Sequence, residues 1–388
     1  MYNLLTLKLS AQIKLIATKE QTDLLKQTLE QANALCNAIS EIAWQQQIFK
    51  QFDLHKLLYK NLRDQSGLAA QVVVRCISKV ADAYKLDKKT MRVFDPHGAI
   101  SFDNRILTYR INKKFVTIWT INGRERINYV CGEHQDKLLE FRQGESDLAY
   151  HDGEFFLFPT IDIEPSPTED VKTFIGVDLG IKQIAADSTG ESFSGEEVEK
   201  VRQKYHNLRR DLQKRGSKNS ARRLKKIAKQ ESRFRKDKNH CIANKLVKKA
   251  KDTKQGIGLE DLKHIRARTT VRKADRARHS GWAFSQLQAF ILYKALRAGV
   301  KTEIVNAGNS SRQCSVESCG HIAKTNRKSQ ALFVCGKCGH SENADLNAAK
   351  VIAQRALNLY QRPQSIGRSR SASKLLPAPV TGTASSAL

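Results

Sequence analysis

The sequence predicts a multidomain α+β protein: a small β-barrel interrupted by a helical bundle, then a mixed α/β domain with a cysteine-bearing insert. Three features predict it. Apolar residues alternate at period two near the N-terminus and again from about residue 91 to 163, with a stretch of helical period between. From Lys172 short apolar runs alternate with long helical patterns. Late in the chain Cys314, Cys319, Cys335 and Cys338 cluster at the spacing Cys-x4-Cys-x15-Cys-x2-Cys.

Taken in order, Leu5, Leu7, Leu9, Ala11, Ile13 and Leu15 alternate with mostly polar neighbours and predict one half-buried first strand. Thr18 with Gln21 reads as a capping box, and Leu24, Leu25, Leu29, Ala32, Leu35, Ile39 and Ile42 follow at helical spacing. Leu54–Leu62 and Leu68–Tyr84 repeat that pattern, giving a bundle of about three helices over residues 17–90. Strand runs then come at Ile106–Ile111, Phe115–Ile121, Ile127–Cys131 and Phe155–Phe158, with turns at Asn122-Gly123 and Asp152-Gly153. The first strand can complete this barrel, so residues 1–16 and 91–170 form one domain and the bundle is an insertion into it. Pro165-Ser166-Pro167 reads as the linker out.

The α/β domain is expected over 171–309 and 341–361, with the cysteine insert at 310–340. Its strands are Thr173–Asp178, Ile181–Ala186, Ile257–Glu260 and Lys301–Val305, with a turn at Asp187–Gly190. Its helices are Gly281–Ala298, Ala344–Tyr360 and a strongly basic helical region, Val201–Ala250. Residues 362–388, rich in Ser, Ala, Pro and Arg and without an acid, are expected to be a disordered basic tail.

The 388 residues carry 67 Lys+Arg against 39 Asp+Glu, a formal charge of +28. Such a charge excludes an ordinary neutral metabolic enzyme and favours a polyanionic partner, because Lys and Arg release counterions condensed on phosphates. Residues 201–250 alone hold 19 basic and 3 acidic side chains, a net of +16 that repels itself without a polyanion. Arg222, Arg223, Lys225 and Lys226 are the candidates there for gripping nucleic-acid backbone, although a charge run also serves as a solvated helix face. No run of about 18 apolar residues, signal-peptide layout or lipidation motif occurs, so no membrane partner is expected and the chain is read as cytoplasmic.

Four thiolates on two knuckles suit a structural Zn²⁺, which they would coordinate fully with no open position for water. His321 and His340 lie nearby but are not needed as ligands; Cys36, Cys76, Cys131 and Cys241 are expected in core or half-buried places. Three acids stand at awkward junctions: Asp178 after Phe174-Ile175-Gly176-Val177, Glu260 after Gly256-Ile257-Gly258-Leu259, and Asp345 at the start of the last helix. A buried carboxylate needs a cation, and two Mg²⁺ ions would provide it. Each acid alone also fits a structural duty: Asp178 as a strand-end acid facing solvent, Glu260 as a cap or paired with Lys263, Asp345 as a helix N-cap. Asp187 and Asp261 are assigned to turn and surface.

The order of local motifs narrows these alternatives. Ile175-Gly176-Val177-Asp178-Leu179-Gly180, Gly258-Leu259-Glu260-Asp261-Leu262 and Asn343-Ala344-Asp345-Leu346-Asn347-Ala348-Ala349 resemble the three RuvC motifs, with Trp282-Ala283-Phe284, Tyr293-Lys294-Ala295, Ser310–Ser315 and Arg327 between the last two. The succession resembles the TnpB family of transposon-encoded RNA-guided DNA nucleases, related to compact type V CRISPR effectors. The resemblance implies an RNase H-like α/β RuvC nuclease domain with an inserted zinc ribbon, behind a wedge-like barrel and a helical recognition domain that hold RNA. It carries Asp178, Glu260 and Asp345 over as metal-binding catalytic acids and Arg327 as a contact to the scissile phosphate; a surface arginine is the other reading of Arg327. It implies a guide RNA encoded at the protein's own locus, double-stranded target DNA, and a prokaryotic cytoplasm with association to the nucleoid. One departure is the first knuckle, with four residues between its cysteines where two are usual. A catalytically inactive RNA-guided regulator and a strand-transfer transposase are the competing functions.

Overall fold

The computed structural model describes residues 7–262 and 284–362. Among these, residues 7–163 form one compact unit and residues 164–362 another.

In the first unit the expected single N-terminal strand is two, β1 (Leu7–Ser10) and β2 (Ile13–Ile16). Both run antiparallel to β8 (Glu154–Ile163) in one continuous register, Ser10 opposite Thr160 and Ile13 opposite Leu157. The ladder breaks where Ala11 donates to the carbonyl of Pro159, because proline has no N–H to return. Alternation in the sequence continues across that gap, so it could not reveal it.

Three helices follow: α1 (Lys19–Gln46), α2 (Gln51–Gln65) and α3 (Ala70–Leu86). The Thr18 capping box forms, with the Thr18 hydroxyl accepting from Gln21 N and the Gln21 side chain accepting from Thr18 N. The remaining strands are β3 (Ile100–Phe102), β4 (Leu107–Arg110), β5 (Phe115–Thr120), β6 (Gly123–Val130) and β7 (Arg142–His151), with a short helix α4 (Glu133–Leu139) before β7. Sequence reading did not mark β3, β7 or α4: β3 is three residues long, and polar residues through 142–147 hide the alternation of β7. The sheet order is β3-β7-β8-β2-β6-β5-β4, with β1 also on β8, and the three helices fall between β2 and β3 in the chain. The barrel is nearly closed, and Tyr109 of β4 reaches Ser146 of β7 through a 2.9 Å hydrogen bond. One apolar core runs through barrel and bundle, from Ile13 and Leu157 to Leu29, Ile77 and Tyr84.

In the second unit β9 (Phe174–Asp178), β10 (Gln183–Asp187), β11 (Ser192–Ser194), β12 (Gly256–Glu260) and β13 (Thr302–Val305) form a sheet of order β11-β10-β9-β12-β13. β9, β12 and β13 are parallel, whereas β10 is antiparallel to both its neighbours. The basic region is two helices, α5 (Glu196–Arg215) and α6 (Lys218–Asp252), because Gly216 takes φ +62° and turns the chain. The few acids of this region hold the hairpin together: Arg209 pairs with Glu231, and Lys238 with Glu197 at 2.7 Å.

Helix α7 (Phe284–Ala298) and the C-terminal half of α6 cover one face of the sheet, packing on Ile175, Val177, Ile257 and Leu259. The alternate residues Gly176 and Gly258, paired across β9 and β12, meet helix α8 (Ala344–Gln361) on the other face. A Cβ on Gly176 would run into the backbone of Ala349 and Ala353, and one on Gly258 would lie 2.8 Å from the Ala356 Cβ. The expected start of α7 at Gly281, the Trp282-Ala283 motif, Lys263 and the tail from residue 363 lie outside the described residues. Among the described residues no helix is long and apolar enough to cross a membrane.

Candidate active site and cysteine cluster

Side chains two apart on a strand share a face, so the glycines that admit α8 also fix where the acids point. Asp178 and Glu260 each follow the Val177–Leu259 register pair, at the C-terminal ends of adjacent parallel strands about 4.8 Å apart. Both lie two residues beyond a glycine of the α8-facing pair. Asp345 sits in the first turn of α8, whose cap is Asn343: Asn343 Oδ1 accepts Asp345 N at 3.0 Å and Leu346 N at 3.2 Å. Asp345 is therefore not the cap, and its carboxylate is available for other contacts.

The structure brings these three acids together. Burial, and then the charges of Glu260 and Asp345, push the Asp178 carboxyl up to about 8, while Arg327 pulls the other way. Burial also raises Glu260, against the influence of Ser310 and Arg355. Glu260 is 8% exposed, and among the described residues its Oε1 has no hydrogen-bond partner. An orphaned, buried carboxylate oxygen beside two further acids is a donor set for a hard divalent cation. Arg327 does not lie free on a hairpin surface: its Nη2 donates to Asp345 Oδ1 at 3.1 Å and to Gln330 O at 3.1 Å.

Asp187 differs from its assignment. It is fully buried, and its Oδ1 accepts Thr189 N at 2.9 Å, Thr189 Oγ1 at 2.7 Å and Glu191 N at 3.1 Å, which is the turn role expected. Its Oδ2 accepts Lys249 Nζ at 2.6 Å, an ion pair from a distant helix that local sequence could not show. Asp261 is exposed.

The four cysteines converge, all Sγ atoms lying within 4.8 Å of one another. Cys314 and Cys338 are 3.7 Å apart, as are Cys319 and Cys335. Four sulfurs at 2.3 Å from a tetrahedral zinc would lie about 3.8 Å apart, so the cluster fits that ion. The long first knuckle closes through Cys319 N and Gly320 N, both donating to Val316 O. The insert carries a hairpin, β14 (Leu332–Val334) and β15 (Ser341–Asn343), that leads straight into α8. His321 and His340 contribute backbone carbonyls, accepting from Cys314 N and Cys335 N. Cys36 and Cys76 are buried and Cys131 half-buried as expected, but Cys241 is exposed, on a polar face of α6.

Arg222, Arg223, Lys225 and Lys226 are exposed on the free arm of the α5–α6 hairpin. About 24 Å of helix separates Lys226 from Ile242, where α6 meets the sheet, so these four stand apart from the acids. The local motifs assign no role to Asn347, Asn326 or Arg355, whose side chains bond to backbone or amide groups mostly distant in sequence.

Known proteins match this chain in the same places. The family model described as "Cas12f1-like, TNB domain" matches residues 284–352, and the one described as "Probable transposase" matches residues 158–266. A TnpB-like protein of Methanocaldococcus jannaschii is 27% identical over 283 residues, covering 68% of this chain and 92% of that protein. By these matches the chain resembles the TnpB family. It is also similar to the CRISPR-associated endodeoxyribonuclease Cas12f1 of Sulfoacidibacillus thermotolerans, 29% identical over 56% of this chain and 55% of that protein. The putative RNA-guided DNA endonuclease InsQ of Escherichia coli is 27% identical over 48% of this chain and 50% of the relative. The chain spans about half the length of the Cas12f1 proteins it matches.

Proposed function

We propose that this protein is an RNA-guided DNA endonuclease that hydrolyses phosphodiester bonds in a RuvC-like site. The observation that carries the reading is the convergence of Asp178, Glu260 and Asp345 from three separate elements, with an unpartnered Glu260 oxygen among them. The sheet order and its antiparallel β10 support an RNase H-like scaffold for that site. Names of the relatives support the guided mode of action, and the basic α5–α6 arm supplies a surface for nucleic-acid phosphates.

Asp178, Glu260 and Asp345 would hold two Mg²⁺ ions. When bound, such ions supply an activated water and neutralise the leaving oxygen. Arg327 orients Asp345 through its hydrogen bond and places a guanidinium beside the site, where a phosphate of the bound strand would approach. Cys314, Cys319, Cys335 and Cys338 would hold one structural Zn²⁺. Guide pairing would choose the target, while the protein reads duplex shape and a short adjacent DNA motif.

Asp178→Ala and Glu260→Ala should abolish cleavage and leave RNA and target binding intact; cleavage retained by either overturns the site assignment. All three acids being present and gathered counts against an inactive regulator. Sequencing the RNA that co-purifies with the protein expressed from its native locus tests the guide: one discrete species matching flanking DNA is expected. Reversing Arg222, Arg223, Lys225 and Lys226 together should weaken nucleic-acid binding and flatten its salt dependence by up to about 4 units of log–log slope; an unchanged slope removes them from the interface.

A further inference from the structure

Asn347 is fully buried in α8, two residues after Asp345. Its amide is used at both ends: Oδ1 accepts Ser315 N at 3.0 Å, and Nδ2 donates to Gln313 O at 2.8 Å. Those two backbone groups flank Cys314, so one side chain of the acid-bearing helix grips the first cysteine knuckle from both sides. The same helix repeats the contact a turn or two later, where Gln354 Nε2 donates to Ser315 O at 2.6 Å and Arg355 Nη2 to Gln313 Oε1 at 2.6 Å. At the other end of the insert, Ala344 N donates to Ala331 O at 2.9 Å and Arg327 holds the Asp345 carboxylate. The first turns of α8 are thus clamped between two parts of the insert that carries the four cysteines.

We propose that Asn347 is a positioning residue for the acidic site: it transmits the seating of the Cys314 knuckle to the helix turn that bears Asp345, so that metal in the cysteine cluster and ion affinity at the acids are coupled. The proposal rests on reading the three acids as an ion-binding site. Truncating Asn347 leaves Ser315 N and Gln313 O buried without partners, and the knuckle and the helix no longer share one fixed register. Ligand oxygens must be held to a fraction of an ångström, so a small shift of this turn is felt at Asp345.

The test uses full-length wild type, Asn347→Ala, Cys338→Ser, the double variant and Asp345→Ala. Mn²⁺ is titrated into nucleic-acid-free protein and free ion counted by electron paramagnetic resonance. Zinc content, melting temperature and the Mg²⁺ half-saturation of guided cleavage are measured alongside. Asn347→Ala should keep its zinc and its fold yet weaken Mn²⁺ binding and raise the Mg²⁺ half-saturation about tenfold. Cys338→Ser should lose zinc and show a similar shift, and the double variant should be no worse than the poorer single one. Wild-type Mn²⁺ affinity in a folded Asn347→Ala protein overturns the proposal, as does full additivity in the double variant. If Asn347→Ala does not fold, Gln354→Ala is the substitute: a weakening of about threefold supports the coupling, and none overturns it. Undiminished Mn²⁺ binding and cleavage by Asp345→Ala would instead overturn the reading of the acids.

Discussion

Two buried carboxylate groupings on one sheet have opposite chemistry. Asp187 ends β10 and is fully buried, yet three donors from its own turn and Lys249 from α6 surround it, and with these bonds its carboxyl stays below the usual range despite burial. Asp178 and Glu260 end the adjacent strands β9 and β12: burial and the charges of Glu260 and Asp345 outweigh Arg327 and raise Asp178, and burial outweighs Ser310 and Arg355 and raises Glu260. Burial of an acid is therefore no sign of function by itself. What distinguishes the second grouping is that three acids gather around Arg327 with a Glu260 oxygen left unpartnered, an excess of negative charge that is costly unless a cation arrives.

The sharpest way to break this contrast is to substitute each acid in turn. Asp178→Asn should lower cleavage by at least about 10³-fold, the scale of removing charge stabilisation at a reacting centre, whereas Asp187→Asn should leave the rate per folded molecule within about threefold. Comparable losses of rate would mean that both groupings serve the chemistry. Asp187→Asn should instead destabilise the fold by about 2 kcal/mol, measured by urea denaturation, because a charge-assisted bond to a partly buried lysine is lost.

Packing distinguishes the two as well. The acids depend on α8 lying against Gly176 and Gly258, so Gly176→Ala should cost about 3 kcal/mol by forcing helix and strand apart. In a folded preparation it should also depress cleavage, since α8 carries Asp345. The Thr189 and Glu191 amides, held by Asp187 Oδ1, should keep their protection from hydrogen exchange in that variant, whereas the Ser188 amide, held by Gly176 O, should lose some of it.

The smallest expected effect is on the pH profile of stability without Mg²⁺. Asp178 is raised from 3.8 to about 8, so the stability tied to its protonated form is complete below pH 4 and is lost as pH climbs through about 8. Asp187 is lowered, so its contribution is present above pH 4 and is lost as pH falls below that. Asp178→Asn should flatten the fall in stability between about pH 4 and 8, and Asp187→Asn the loss below about pH 4. The same pH range responding to both would erase the distinction.

Much of this was legible in the chain. The three helices, the barrel strands around Asn122-Gly123 and Asp152-Gly153, β9, β12 and the cysteine spacing are all local patterns, set by periodicity and turn chemistry within a few residues. Asp178, Glu260, Asp345 and Arg327 were singled out by motif, and the structure gathers all four. The gap opposite Pro159, the ion pair of Asp187 with Lys249, the burial of Asp187 and the exposure of Cys241 were not legible, because each depends on which distant residue lies opposite.

By itself, then, the sequence determined which residue types stand at which spacing: helices and strands by period, a four-thiol cluster by its knuckles, and a concentrated excess of positive charge. Only the tertiary structure decided which acids are compensated and which are left with an open oxygen. That distinction is a sum over neighbours brought in from β12, α6, α8 and the cysteine insert, and no local stretch of chain contains it.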